Sequence, residues 1–98
     1  MRDACSNAGV QRRHVCIYGF VQGVGFRFAV ERAASSRQVS GWVRNRSDGA
    51  VEAVFEGERQ DVEALVDFCR HGPRGAEVER VEVEEESAEG LGGFRVTG

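Results

Sequence analysis

Two stretches of helical spacing, separated by one strand-turn-strand signal, restrict the folding of this chain more than any other feature. In the second stretch Val62, Leu65, Val66 and Cys69 fall at i, i+3, i+4 and i+7, one face of a helix, and Gly72-Pro73 stops the pattern. In the first, Phe26, Val30, Ala33 and Ala34 line one side, with Glu31, Arg32 and Arg37 on the other, which predicts a helix from Phe26 to about Gln38. Between them, Trp42 to Asn45 and Ala50 to Glu56 are β-rich runs joined by Arg46-Ser47-Asp48-Gly49, whose Asp-Gly pair favours a tight hairpin turn. In the second run Val51, Ala53 and Phe55 alternate with Glu52, Val54 and Glu56, so one face is expected to pack and the other to be partly wet.

A short apolar run, Val15 to Tyr18, precedes the first helix and reads as a buried strand stopped by Gly19. Val78 to Val83 forms a fourth strand with a highly charged end, and Phe94 to Val96, after a flexible Glu89 to Gly93, forms a short last one. Residues 1–13 are small, polar and charged without periodicity and read as a flexible tail, leaving residues 14–98 as a single domain. The order is β-α-β-β-α-β. The simplest packing that buries both helix stripes is an α+β, ferredoxin-like split β-α-β sandwich, with two helices on one face of an antiparallel sheet.

Composition narrows the chemistry. The chain has thirteen basic and sixteen acidic residues, net −3, and every one of its basic Lys/Arg positions is arginine. Without lysine there is no Schiff-base, lysine-nucleophile or Walker-type chemistry, so any anion bound here is held by arginine, backbone N–H groups or a metal. A mildly acidic chain without a basic run repels phosphodiester backbones, so no nucleic-acid partner is expected. The N-terminus has no apolar core of a leader, and no apolar stretch is long enough to span a bilayer, which points to a cytoplasmic protein with no membrane partner. Cys5, Cys16 and Cys69, odd in number and without paired spacing, fit reduced thiols.

The segment from Gly19 to Arg27, GFVQGVGFR, lies between a strand and the start of a helix, where free N–H groups and the helix dipole suit an anion. Gly23 and Gly25 can take positive φ, so that the backbone of Val21, Gln22, Gly23, Val24, Gly25 and Phe26 curls into a concave nest for phosphate oxygens. Arg27, in the first turn, adds a guanidinium fork able to grip two oxygens. A tight strand-to-helix turn with no ligand explains the glycines equally well. The Walker and dinucleotide patterns are excluded by residue identity, the second because Phe28 stands where it needs a third glycine. A cysteine-phosphatase loop needs an arginine six residues after a cysteine, and Gln11, Gln22 and Gly75 occupy those positions.

GFVQGVGFRF followed by SGWVRNRSDGAVEAVFEG resembles the two-part signature of the acylphosphatase family, and the resemblance runs in order from residue 14 to residue 98, including GPRGA at 72–76. It implies hydrolysis of acyl phosphates, with Arg27 as the phosphate-binding arginine and Asn45 as the residue that holds the attacking water. It also implies a small-molecule acyl phosphate as substrate, inorganic phosphate as product and inhibitor, and no cofactor or metal. The residues agree on the last point: the two histidines, His14 and His71, are isolated in sequence, and neither motif carries a carboxylate cluster. A monomer is expected.

Two departures from the family pattern stand out. The position after Gly19, commonly basic in relatives, is Phe20, and the chain ends FRVTG without the usual basic and aromatic pair. Elsewhere, His71 is expected to serve the dipole of the second helix, and Cys16 and Cys69 to act as small buried hydrophobes, whereas Cys5 is the exposed thiol. Trp42 is expected to pack, and the glutamates at 84–86 to be a solvated strand end. The alternatives are a non-catalytic phosphate-binding or regulatory module of the same fold, or a unit processing carbamoyl phosphate within a larger enzyme. The chain reads as complete, which weakens the latter.

Overall fold

In the computed structural model, which describes residues 10–97, the first strand is longer than its apolar run: β1 covers Val10–Phe20. The expected tail therefore ends before residue 13. Gln11, Arg12 and Arg13 pair with Gly57, Glu56 and Phe55 of β3 (Val51–Glu58). The cause is charge neutralisation, because Arg12, only 8% exposed, donates to Glu86 at 2.8 Å and has Glu56 at 3.5 Å and Glu89 at 3.8 Å. The earlier part of that tail, with Cys5, lies outside the described residues.

The remaining elements are α1 (Phe26–Ser36), β2 (Ser40–Asn45), α2 (Arg59–His71), β4 (Glu77–Glu86) and β5 (Phe94–Thr97). α1 ends earlier than the apolar spacing predicts because Gln38 adopts φ 59, the left-handed region that closes a helix, while the N–H of Val39 turns back to the carbonyl of Ala34. The sheet order is β4-β1-β3-β2-β5. All neighbours are antiparallel except β5, which runs parallel to β2 with Gly41 opposite Phe94. The chain leaves β4 at one edge, turns back over Glu56 of β3, and joins the far edge. That reversal makes β5 antiparallel to β4 and hence parallel to β2, so the expected all-antiparallel sheet gains one parallel edge.

Both helices cover one face. The core joins Val62, Leu65, Val66 and Cys69 of α2 and Phe26, Val30 and Ala34 of α1 to Val15, Ile17, Val51, Ala53 and Phe55 of the two central strands. Fully burying a side chain of this size contributes about 1.5–3 kcal/mol, so the helix stripes account for their own docking. Burial pushes the Cys69 thiol up to about 12, which keeps it an uncharged hydrophobe. His71 accepts its expected place in the last turn of α2, with Nδ1 3.0 Å from the carbonyl oxygen of Asp67. Among the described residues no helix is long and apolar enough to cross a membrane.

The opposite face corrects a second expectation. Every residue from Val51 to Glu56 is buried, including Glu52 and Glu56 on the side away from the helices. Glu52 lies between Arg44 and His14, whereas the carboxylate of Glu56 accepts the backbone N–H groups of Glu89 and Gly90 at 2.8 Å each and of Leu91 at 3.4 Å. Burial alone would raise the Glu56 carboxyl, but those three N–H donors and Arg12 outweigh it and hold it below the usual range. The glycine-containing segment 89–93, expected to be flexible, is tied to the sheet by this carboxylate.

Candidate active site

β1 and β2 both lie antiparallel to β3, one on each side, so their C-terminal ends meet at the same end of the sheet. Register fixes how near. Ile17 and Asn45 are both partners of Val51, which puts Asn45 two strand spacings, about 10 Å, from Ile17 and level with it. The glycine-rich segment begins within the last two residues of β1, two residues beyond Ile17. Sequence positions 27 and 45 thus come to one rim through a strand that neither belongs to.

A concavity of 200 Å³ at that rim is lined by Val21, Gly23, Gly25, Phe26, Arg27, Phe28 and Asn45. Gly23 has φ 79 and Gly25 φ 77, and a Cβ at either position would meet nothing within 4 Å. The requirement for glycine there is conformational, since the left-handed region disfavours other residues whatever space is available. Gly25 is also the N-cap of α1. It makes no side-chain cap, and the first turn of α1 contains no acidic residue, so the positive end of the helix is neither capped nor neutralised by its own residues. The guanidinium of Arg27, in that turn, has its central carbon 5.7 Å from the centre of the exposed Phe28 ring.

Of the six loop positions expected to present backbone, Val21, Gly23, Gly25 and Phe26 line the concavity and two do not. Val24 packs against the core. Gln22 turns its side chain away and donates from Nε2 to the carbonyls of Arg46 at 2.7 Å and Ala50 at 3.0 Å. It thereby ties the loop to the β2–β3 turn immediately beside Asn45. Sequence reasoning missed this positioning role, because the partners are carbonyl oxygens of a turn 24 and 28 residues away. Phe28, which sequence spacing marks only as a mismatch to the dinucleotide pattern, also lines the concavity. Phe20, 62% exposed, lies outside the concavity's lining.

A larger groove of 710 Å³ lies on the other face, lined in part by Trp42, Arg44, Glu52, Leu91 and Arg95. Size does not make it the phosphate site, because it has neither a helix N-terminus nor the glycine nest. Trp42, expected to pack, is half-buried there, edge-on to His14 with ring centres 6.5 Å apart and with Arg44 5.8 Å over its ring.

Comparison with known proteins identifies the family and the fold. The profile of the Acylphosphatase family matches residues 13–96. An acylphosphatase of Thermococcus kodakarensis is 55% identical over 87 residues, covering 89% of this chain and 96% of the relative. A solved acylphosphatase from Coxiella burnetii superposes with a TM-score of 0.88 at 40% identity, covering 93% of this chain and 96% of that one. Full-length HypF, solved in a phosphate- and nucleotide-bound form, is similar at 31% identity and a TM-score of 0.84, but the match covers 91% of this chain and only 12% of HypF. The chain belongs to the acylphosphatase family and is a hydrolase of that family.

Proposed function

We propose that this protein hydrolyses the carboxyl–phosphate anhydride bond of small acyl phosphates, releasing a carboxylate and inorganic phosphate. One observation carries the reading: Arg27 and Asn45, from separate segments, line the same small concavity as the glycines of the loop. The phosphate would lie against the loop N–H groups and the N-terminus of α1, with two of its oxygens held by the Arg27 fork. Phosphoryl transfer has a loose transition state, so positioning and charge stabilisation account for most of the catalysis. Each charge-assisted hydrogen bond to the equatorial oxygens contributes about 1.5–3 kcal/mol.

Asn45 offers one carbonyl acceptor and one NH₂ donor, enough to hold a water in line with the scissile P–O bond. It does not titrate and so does not act as a base. The proton of the water leaves to a phosphate oxygen or to solvent, which the good carboxylate leaving group permits without a general acid. Phosphate, as the product, competes for the same nest. One chain supplies both side chains, so a monomer suffices. Cys16 and Cys69, free and on opposite faces of the sheet, fit a reducing cytoplasm.

Purified protein is expected to release phosphate from benzoyl phosphate well above the spontaneous rate, with EDTA present. A rate no higher than spontaneous, with phosphate still bound, would instead identify a non-catalytic phosphate-binding module.

A further inference from the structure

His14 and Cys16 stand two apart on β1 and so project from the same face, the one opposite the helices. Glu52 on β3 is the direct cross-strand partner of Cys16. One ligand atom from each of the three, an imidazole nitrogen, a thiol sulfur and a carboxylate oxygen, can be chosen so that all lie within 4.8 Å of one another. The phosphate-loop chemistry uses none of them.

We propose that His14 Nε2, Cys16 Sγ and Glu52 Oε2 form a binding site for a zinc-type divalent cation, clamping β1 to β3 with a fourth position open to solvent. Zinc bonds of about 2.0–2.3 Å at tetrahedral angles put ligand atoms about 3.3–3.8 Å apart, so the His14 Nε2–Glu52 Oε2 pair, now 2.5 Å apart, must open and the thiol must draw in, each by side-chain rotations of about an ångström. The ligand set is selective. A thiolate with an imidazole excludes magnesium and calcium, which take oxygen ligands, and suits zinc, cobalt or copper.

The surrounding groups support the assignment. Glu52 Oε1 is held by Arg44 Nε and Nη2, both at 2.7 Å, which fixes the carboxylate and leaves Oε2 toward His14 Nε2 at 2.5 Å. An outer hydrogen bond on the second oxygen of a ligating carboxylate orients it for the metal. Arg46 Nη1 lies 3.4 Å from Cys16 Sγ, and Nη2 of the same guanidinium pairs with Asp48 at 2.9 Å. Burial pushes the Cys16 thiol up, so its proton leaves to solvent only as the metal binds, and donation from Arg46 offsets part of that cost. With the thiolate formed, Glu52, Cys16 and Asp48 carry three negative charges against the four of the cation, Arg44 and Arg46, so one positive charge is left to solvent. His14, with 23% of its side chain exposed, gives the ion an entry path and a place for water.

The test is cobalt(II) titration of metal-stripped protein carrying Cys5→Ser, so that the remaining thiols are Cys16 and the core-buried Cys69. The expected result is a thiolate-to-cobalt charge-transfer band that saturates at one equivalent and is displaced by zinc. His14→Gln, Glu52→Gln and Cys16→Ser should each weaken binding at least about tenfold, the last abolishing the band. Zinc at about a hundredfold excess over Kd should raise Tm by roughly 10 °C in the parent and much less in the variants. No saturable band, or one unchanged by Cys16→Ser and His14→Gln, would overturn the site. If Cys16→Ser fails to fold, the His14 and Glu52 variants decide the question.

Discussion

Replacing Arg27 with alanine is expected to lower kcat/KM for benzoyl phosphate by at least about 10²-fold and to weaken inhibition by inorganic phosphate, because one group serves both ground and transition states. Two features make the loss large. The chain has no lysine, so a nearby residue of that kind cannot take over the charge. Arg27 also emerges from the first turn of α1, whose orientation is set by Phe26 and Val30 in the core, so its fork starts from a rigid base. Arg27→Lys should recover only part of the activity, since an ammonium cannot reproduce the bidentate fork. Unchanged phosphate inhibition in Arg27→Ala would contradict the role assigned to it.

Replacing Asn45 with alanine is expected to lower turnover by about 10²-fold while leaving phosphate inhibition nearly intact, the loss that follows when a reacting group is held an ångström out of place. The contrast with Arg27 follows from chemistry. An amide holds a neutral water well but adds little to the binding of an anion already gripped by backbone N–H groups and a guanidinium. Asn45 is also the last residue of β2, paired with Val51, so truncating its side chain should leave the backbone of the rim in place. Parallel losses of turnover and phosphate affinity would show that Asn45 binds the anion instead.

The helices were legible because their signal is local. Val62, Leu65, Val66 and Cys69 announce a buried stripe through spacing alone, and all four are in the core. What escaped was decided by partners far away in sequence. Gln11 to Arg13 look like tail residues until Glu56 and Glu86 are set beside Arg12, and Glu89 to Gly93 look unconstrained until Glu56 receives their N–H groups. The alternation in β3 correctly chose the core face. It missed the other face because nothing local reveals that Arg44 and His14 cover Glu52 there. For the same reason His14, isolated in sequence, has Cys16 and Glu52 for neighbours.

The candidate site divides similarly. The glycine loop and Arg27 could be argued from the strand-to-helix transition and the lack of lysine. The position of Asn45 beside them rested on family resemblance, because it depends on β1 and β2 both pairing with Val51, a coincidence of register that spacing does not encode. The anchoring of the loop by Gln22 depends on the same arrangement.

The central claim is that a water held at Asn45 attacks phosphorus, not the acyl carbon. Hydrolysis of benzoyl phosphate in ¹⁸O-enriched water, with the products separated before exchange, tests it most directly. A single turnover should place one ¹⁸O in the released phosphate and none in the benzoate. Label in the benzoate would mean that the C–O bond breaks, and neither the phosphate nest nor the in-line water could then stand as described.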